Sequence, residues 1–297
     1  MIRNHNTSFK ILFMQVLALQ ICLFYTYPAY SWGFYAHKRI NHLAVFTLPE
    51  SMNRLYKRHI RAIESLSVLP DQRRHTLDEE AARHYIDLDQ YELNRIAYLT
   101  FEKASLIYTK DTLQQHGIVP WIIPIVKNRL KYAFLSRDTV QVIKLSAELG
   151  HYIADAHVPL HTTSNYDGQK TNQVGIHAFW ESKIPEMLQA DLEDWSAPAN
   201  YIPDLQKETW NWILQAHRYV KTLLLQEAEL NARTKPQTKY LFLKKGSILT
   251  KTYAYAYVKE YHKLLNHQIE TQFNDAIQHV GNVWYSAWLE AGQPDFK

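Results

Sequence analysis

Between positions 151 and 181 the chain carries His151, Asp155, His161, His177 and Glu181, five side chains able to bind a metal ion. His151 and Asp155 stand four apart, as do His177 and Glu181, so each pair shares one helix face about one turn apart. Pro159 ends the first helix, which lets His161 fold back beside the first pair. Imidazole and carboxylate are the donors that zinc accepts when thiolates are absent. A lone His-x-x-x-Asp pair is more often a surface salt bridge, and 15 histidines give many chances for one. Clustering separates this segment from that expectation: two phased pairs around a turn supply donors for more than one ion.

The elements that position these residues read as helices. Apolar spacing predicts helices over 36–46, ended by Pro49, and over 50–66, where Met52, Leu55, Ile60, Ile63 and Leu66 recur. Pro70 breaks the pattern, and a polar stretch follows over 71–83. Helices are expected near 91–108, 120–135 and 138–156, the last opened by Ser136-Arg137-Asp138. Thr162 to Gly175, rich in Thr, Ser, Asn, Asp and Gly, reads as a loop. Further helices are expected over 177–192, 204–232 and 247–289, the last with a break near Gly281. No convincing alternating strand is present apart from short ambiguous runs such as Tyr240 to Leu243. Only 8 glycines and 46% hydrophobic residues fit a helical protein with a sizeable core. No repeat and no low-complexity tract is evident. The expected architecture is all-α, one helical domain over 32–297 with a buried metal cleft.

The first 31 residues read as a cleaved signal peptide. Arg3 and Lys10 precede an apolar run from Ile11 to Phe24, and Ala29-Tyr30-Ser31 offers small residues before a cleavage site. The run is short for a bilayer span, which argues against a retained anchor. Export, to a periplasm or to the medium, is therefore expected, with Trp32 as the new N-terminus. The single cysteine, Cys22, falls within this segment, and its neighbours Gln20-Ile21 suit a lipoprotein box poorly. Disulfides, thiolate-bound zinc and a cysteine nucleophile are thereby excluded from the mature chain. The formal charge of +4 falls to +2 without Arg3 and Lys10, too weak to argue nucleic-acid binding by bulk charge.

The segment His151 to Glu181 resembles the signature of the zinc-dependent phospholipase C and S1/P1 nuclease superfamily. That resemblance implies a helical fold with three zinc ions and hydrolysis of phosphodiesters. It extends upstream, where Trp32-Gly-Phe-Tyr-Ala-His37 follows the expected cleavage site. Family members begin with a Trp whose amino group and carbonyl oxygen bind zinc, followed shortly by a His, so Trp32 and His37 inherit those roles. Leu69-Pro70-Asp71 and His84-Tyr85-Ile86-Asp87 match the next elements in order and approximate spacing. By this carry-over one ion takes Asp71, His84, His151 and Asp155, and a second takes His161, His177 and Glu181. The third takes Trp32 and His37, with Asp155 bridging. Catalytic roles are implied for Asp71, which would orient the nucleophile, and for Arg74, which some nuclease-like relatives place near the scissile phosphate.

Other residues read more simply. His157 is expected to be structural, and His42, His59, His75 and His116 to be surface positions without a phased carboxylate. Trp180 and the run Tyr253, Tyr255, Tyr257 and Tyr261 read as packing. The substrate divides two ways. Glu181 as the last ligand and the short His161–His177 interval look like the phospholipases, whereas the short Trp32–His37 interval looks like the nucleases. The family's Gly-Gly-Asn-like segment is altered here to Gly168-Gln169-Lys170-Thr171-Asn172. The expected substrate is thus a phospholipid head group or single-stranded nucleic acid. No stable protein partner is implied and a monomer is expected. A non-catalytic metal-binding or interaction protein is the alternative, against which the filled ligand positions argue.

Overall fold

A computed structural model describes residues 33–74, 76–189, 197–245 and 248–296. The expected signal peptide, Trp32 and His75 lie outside the described residues. The chain is helical as expected: α1 (Phe34–Ala44), α2 (Glu50–Arg58), α3 (Ile60–Leu66), α4 (Leu69–Arg73), α5 (Leu93–Ile96), α6 (Phe101–Tyr108), α7 (Lys110–Gln115), α8 (Val119–Leu135) and α9 (Thr139–Asp155) come first. After the loop come α10 (Ile176–Ala178), α11 (Ile184–Met187), α12 (Leu205–Arg218), α13 (Val220–Arg233), α14 (Pro236–Lys239), a hairpin of β1 (Tyr240–Lys245) and β2 (Ile248–Tyr253), α15 (Tyr255–Leu264) and α16 (Gln268–Glu290).

Helix α9 is the axis of the fold. Asp138 caps it by accepting from the Gln141 N–H, and every residue from Ser146 to Asp155 is buried. Ala147, Leu149, Gly150, Ile153 and Ala154 make that half small and apolar around its few polar side chains, which suits it to the interior, and α9 packs against α1, α3, α8 and α16. Close approach of α1 and α9 requires Gly150: a Cβ there would lie 2.1 Å from Asn41 Oδ1. Asn41 is itself buried and donates to the His37 carbonyl at 3.0 Å. Gly150 thus brings the α1 face bearing His37 against the α9 face bearing His151.

Several expected boundaries shift. The helix expected over 50–66 breaks at His59, whose φ of −111° ends α2 and begins α3. Pro70 does not break a helix; it sits in the first turn of α4, where its missing N–H costs nothing. The 91–108 helix is interrupted between Ile96 and Phe101, and the 204–232 helix at Tyr219. The 177–192 helix ends at Met187 and contains a π-helical turn, Phe179–Lys183. Gly281 does not break α16. It lets the helix pass close to Thr47, whose Oγ1 would meet a Cβ at 1.9 Å. The true break lies earlier, where Asn266 and His267 take left-handed backbone angles between α15 and α16.

The largest departure is the hairpin. Residues 248–253, expected to open a long helix, instead pair antiparallel with 240–245, from Tyr240↔Tyr253 to Lys245↔Ile248.

Candidate metal centre

Asp155 ends α9 at the centre of a buried group of histidines drawn from across the chain. Its Oδ2 lies 2.8 Å from His84 Nδ1 and 3.1 Å from His151 Nε2. Its Oδ1 lies 3.4 Å from His37 Nε2 and 3.6 Å from His161 Nδ1. Asp71, on α4, approaches the same place, with Oδ1 3.7 Å from His84 Nδ1 and 3.8 Å from His151 Nε2. A second focus lies beside it, where Glu181 Oε2 is 3.0 Å from His177 Nε2 and 3.5 Å from His161 Nε2.

Backbone carbonyls aim the rings. His151 Nδ1 donates to the Ser67 carbonyl and His161 Nδ1 to the His84 carbonyl, each at 2.8 Å. The opposite nitrogens are left as lone pairs directed inward, as they are in histidines that bind metal. The Ile86 N–H returns a bond to the His161 carbonyl at 2.9 Å, locking the 81–84 turn to the 159–162 turn. His37 stacks on His151 with ring centres 3.9 Å apart. Asp167 Oδ1 accepts from the Gly175 and His177 N–H groups and so sets the start of α10.

His84 Nδ1 and Asp155 Oδ2 form a hydrogen bond, but the group as a whole is not satisfied by its own contacts. His37 Nε2, Asp155 Oδ1 and both oxygens of Glu181 are buried without a hydrogen-bond partner. His151 Nε2 faces His84 Nδ1 at 3.0 Å, and His161 Nε2 faces His177 Nε2 at 3.1 Å. Unpaired buried polar atoms are costly, and converging nitrogen and oxygen lone pairs suit a cation. Three such groups occur among the described residues: His37, His151 and Asp155; Asp71, His84 and His151; His161, His177 and Glu181. The donor set fits metal ions.

Ionisation follows the same geometry. Burial pushes Glu181 up to about 8 and His177 down to about 4. Burial also works against charge on Asp155, but His151 and His161 outweigh it and hold the carboxyl well below its usual range. His37 is lowered by burial and by neighbouring His151.

A cleft of about 290 Å³ opens onto His84, His161 and His177. Arg74, Tyr85, Asp87, Thr163 and Tyr166 form its walls. Arg74 Nη1 lies 3.6 Å from Asp71 Oδ1, on the cleft side of the metal-binding groups.

A family model described as S1/P1 Nuclease matches residues 32–279. The chain belongs to the S1/P1 nuclease family. No curated protein matches it significantly. Membership makes this chain a hydrolase of the phosphodiesterase type, from a metal-dependent family whose substrate is nucleic acid.

Every described residue expected from the sequence to bind metal lies in these groups, and Trp32 alone of that set lies outside the described residues. His157 is structural: it donates to the Ile153 carbonyl at 2.7 Å and meets His279 Nδ1 at 2.8 Å. His59 is half-buried. His42 and His116 are partly exposed and pair with carboxylates, His42 2.5 Å from Glu64 and His116 3.2 Å from Asp87. Their partners come from distant positions, so no local phasing announced them. Trp180 is fully buried and donates to Gln268 Oε1 at 3.0 Å. Tyr253, Tyr257 and Tyr261 pack around Phe179, while Tyr255 is exposed.

Sequence reasoning missed the support behind His84. Glu80 lies 3.8 Å from His84 Nε2 and is held by Arg73, Arg83 and the Tyr152 hydroxyl. Its i,i+4 spacing to His84 was the available signal.

Proposed function

We propose that this chain is an exported, zinc-dependent nuclease that cleaves single-stranded nucleic acid, with a mature N-terminus at Trp32. The observation that carries the reading is the cleft: two of the three interlocking donor groups reach it, through His84 and through His161 and His177, in a space walled by Tyr85, Tyr166, Asp87 and Arg74. Tyrosine rings offer faces on which a base stacks, worth about 1–3 kcal/mol per base. Asp87 offers acceptors for a base amino group, although burial raises its pKa against the hydrogen bond from His116. Duplex DNA cannot present an unstacked base to such a wall, so a single strand is the fitting substrate.

Asp71, His84, His151 and Asp155 would hold one ion, His161, His177 and Glu181 a second, and His37 with Trp32 and Asp155 a third. A thiolate-free donor set of this kind accepts zinc. Bound there, the ions would provide a nucleophile from water near neutral pH and offset charge on the phosphate oxygens. Arg74 would bind a non-bridging phosphate oxygen in the fork geometry that guanidinium favours. Asp71, 3.6 Å from that guanidinium, would both orient Arg74 and accept a proton from the attacking water. The Tyr85 and Tyr166 rings would hold the base and so fix the phosphorus relative to Asp71.

The deciding experiment compares cleavage of single-stranded DNA, RNA and phosphatidylcholine, with and without a chelator. Chelator-sensitive cleavage of the nucleic acids above the lipid is expected, and faster lipid cleavage would overturn the reading. Phospholipase C-type activity is the second reading, favoured by Glu181 as last ligand and by the short interval from His161 to His177. A chain holding about three zinc ions yet inert on all three substrates would instead be a metal-binding protein. Extra residues ahead of Trp32 are expected to lower zinc content and rate together, and full zinc content in that variant would refute the N-terminal role.

A further inference from the structure

The hairpin is anchored at its base and exposed beyond it. Tyr253 stacks on Phe179 with ring centres 3.9 Å apart, and Lys239 Nζ pairs with Glu227 at 2.9 Å. The Ala254 N–H closes the base on the Lys239 carbonyl at 2.9 Å. Past the Tyr240↔Tyr253 rung, large apolar side chains on both faces are left exposed by the described residues. Leu241 and Leu243 point to one face and are 47% and 49% exposed; Phe242 and Leu249 point to the other, each 64% exposed. A hairpin that only completes a core buries one face. Large aliphatic side chains exposed on both faces of a narrow projection suit immersion in an apolar medium.

Charge selects the medium. Residues 230–259 contain seven basic side chains and no acidic one; Arg233 and Lys239 pair with Glu260 and Glu227 outside that stretch, and five remain. Lys244 and Lys251 are exposed on the same strands as the apolar residues. Long lysine stems beside buried apolar groups reach back to an anionic headgroup layer. Base stacking is a poorer match, because three of the four exposed apolar residues are aliphatic and present no π-face.

We propose that the 240–253 hairpin inserts into the interface of a membrane bearing anionic phospholipids and holds the enzyme at that surface. Its base abuts Phe179, two residues before Glu181, so insertion would bring the segment bearing Glu181 toward the surface. The proposal stands apart from substrate choice, since a nuclease tethered to a membrane uses the same anchor as a lipase.

The test places an environment-sensitive fluorophore on the hairpin without removing an apolar residue. Thr250→Cys in a Cys22→Ser background provides a single labelling site on an exposed strand position. Vesicles of phosphatidylcholine with phosphatidylglycerol should shift the label's emission to the blue, and pure phosphatidylcholine vesicles should do so far less. In the same background, Phe242→Ser with Leu249→Ser should weaken the response at least tenfold. Lys244→Glu with Lys251→Glu should weaken it by a similar factor, since each lysine near an anionic surface contributes roughly fivefold. A label at the exposed Leu106→Cys should stay silent. No shift with anionic vesicles, or a shift that survives both pairs of substitutions, overturns the proposal. So does an equal shift at position 106. A shift produced by single-stranded oligonucleotide, or by protein concentration without lipid, would overturn it in favour of a nucleic-acid surface or self-association.

Discussion

The Gly33 N–H donates to the Glu181 carbonyl at 3.3 Å. In an α-helix that carbonyl would accept from the residue four positions on, but that residue is Pro185, which has no N–H to give. A π-helical turn over 179–183 and the proline together leave the Glu181 carbonyl available to the N-terminal segment. The two ends of the proposed ligand set, the chain start and the Glu181 turn, are therefore joined by backbone.

Gly33→Ala tests that junction. An added Cβ would meet Ser182 Oγ at 2.5 Å and Ser182 Cβ at 2.8 Å, so one segment must move. Misplacement of about 1 Å at a catalytic site costs on the order of 100-fold in rate. The expected result is loss of one zinc equivalent and a rate drop of roughly 10- to 100-fold, read by metal analysis and a diester assay. Unaltered zinc content would mean that the junction is packing only.

Asp155→Asn is expected to remove most bound metal and at least about 1000-fold of activity. Four histidines lie within 3.6 Å of its carboxylate oxygens, and an amide supplies neither the charge nor the second oxygen they need. Zinc analysis of the purified variant after dialysis checks it, and retention of the full complement would contradict the bridging role.

The site was legible because its pairs are helical and local. His151–Asp155 and His177–Glu181 are i,i+4 pairs, and Asp71, His84 and His37 sit in short motifs with their own family pattern. The hairpin was not legible for a physical reason. Leu241, Phe242 and Leu243 run consecutively because both faces are exposed, so the alternation that marks a half-buried strand is missing. The partners of His42, His116 and His157 come from distant positions, beyond any spacing rule. Helix 177–192 misled because Pro185 sits in the first turn of a new helix after a π turn.

Glu80→Gln should lower zinc affinity by about 10- to 100-fold, the usual effect of changing a partner behind a metal-binding His. Glu80 is buried, and Arg73 and the Tyr152 hydroxyl lower its pKa against the burial that raises it. The substitution keeps shape and removes the charge beside His84 Nε2. Competition with a chromophoric chelator measures the affinity, and an unchanged value would make Glu80 a scaffold residue alone.

Gly150→Ala should destabilise the protein by about 1–3 kcal/mol through overpacking. Its Cβ would fall 2.1 Å from Asn41 Oδ1 and part α1 from α9, loosening the His37–His151 stack. Chemical denaturation measures the loss. Pairing it with Asn41→Ala, which vacates the space, should recover part of that loss.

Acid sensitivity should depend on His279. Its ring lies against Trp212, centres 4.4 Å apart, and Glu208 lines the same cavity. Burial, with neighbouring His157 adding to it, holds His279 well below the ordinary histidine range. His157 Nδ1 must donate to the Ile153 carbonyl, so its Nε2 accepts from His279 Nδ1 and both rings are held neutral. The unfolded chain therefore takes up the proton first as pH falls, at about 6.5. Stability rises with pH wherever the unfolded state holds more protons. It is thus fully present above about 6.5 and declines below that value toward the lowered folded pKa. His279→Phe keeps the stack on Trp212 and removes the titrating group. Melting temperatures taken from about pH 7.5 to 5 should fall less steeply in the variant than in the parent. Equal slopes would show that other groups, not this pair, set the acid limit.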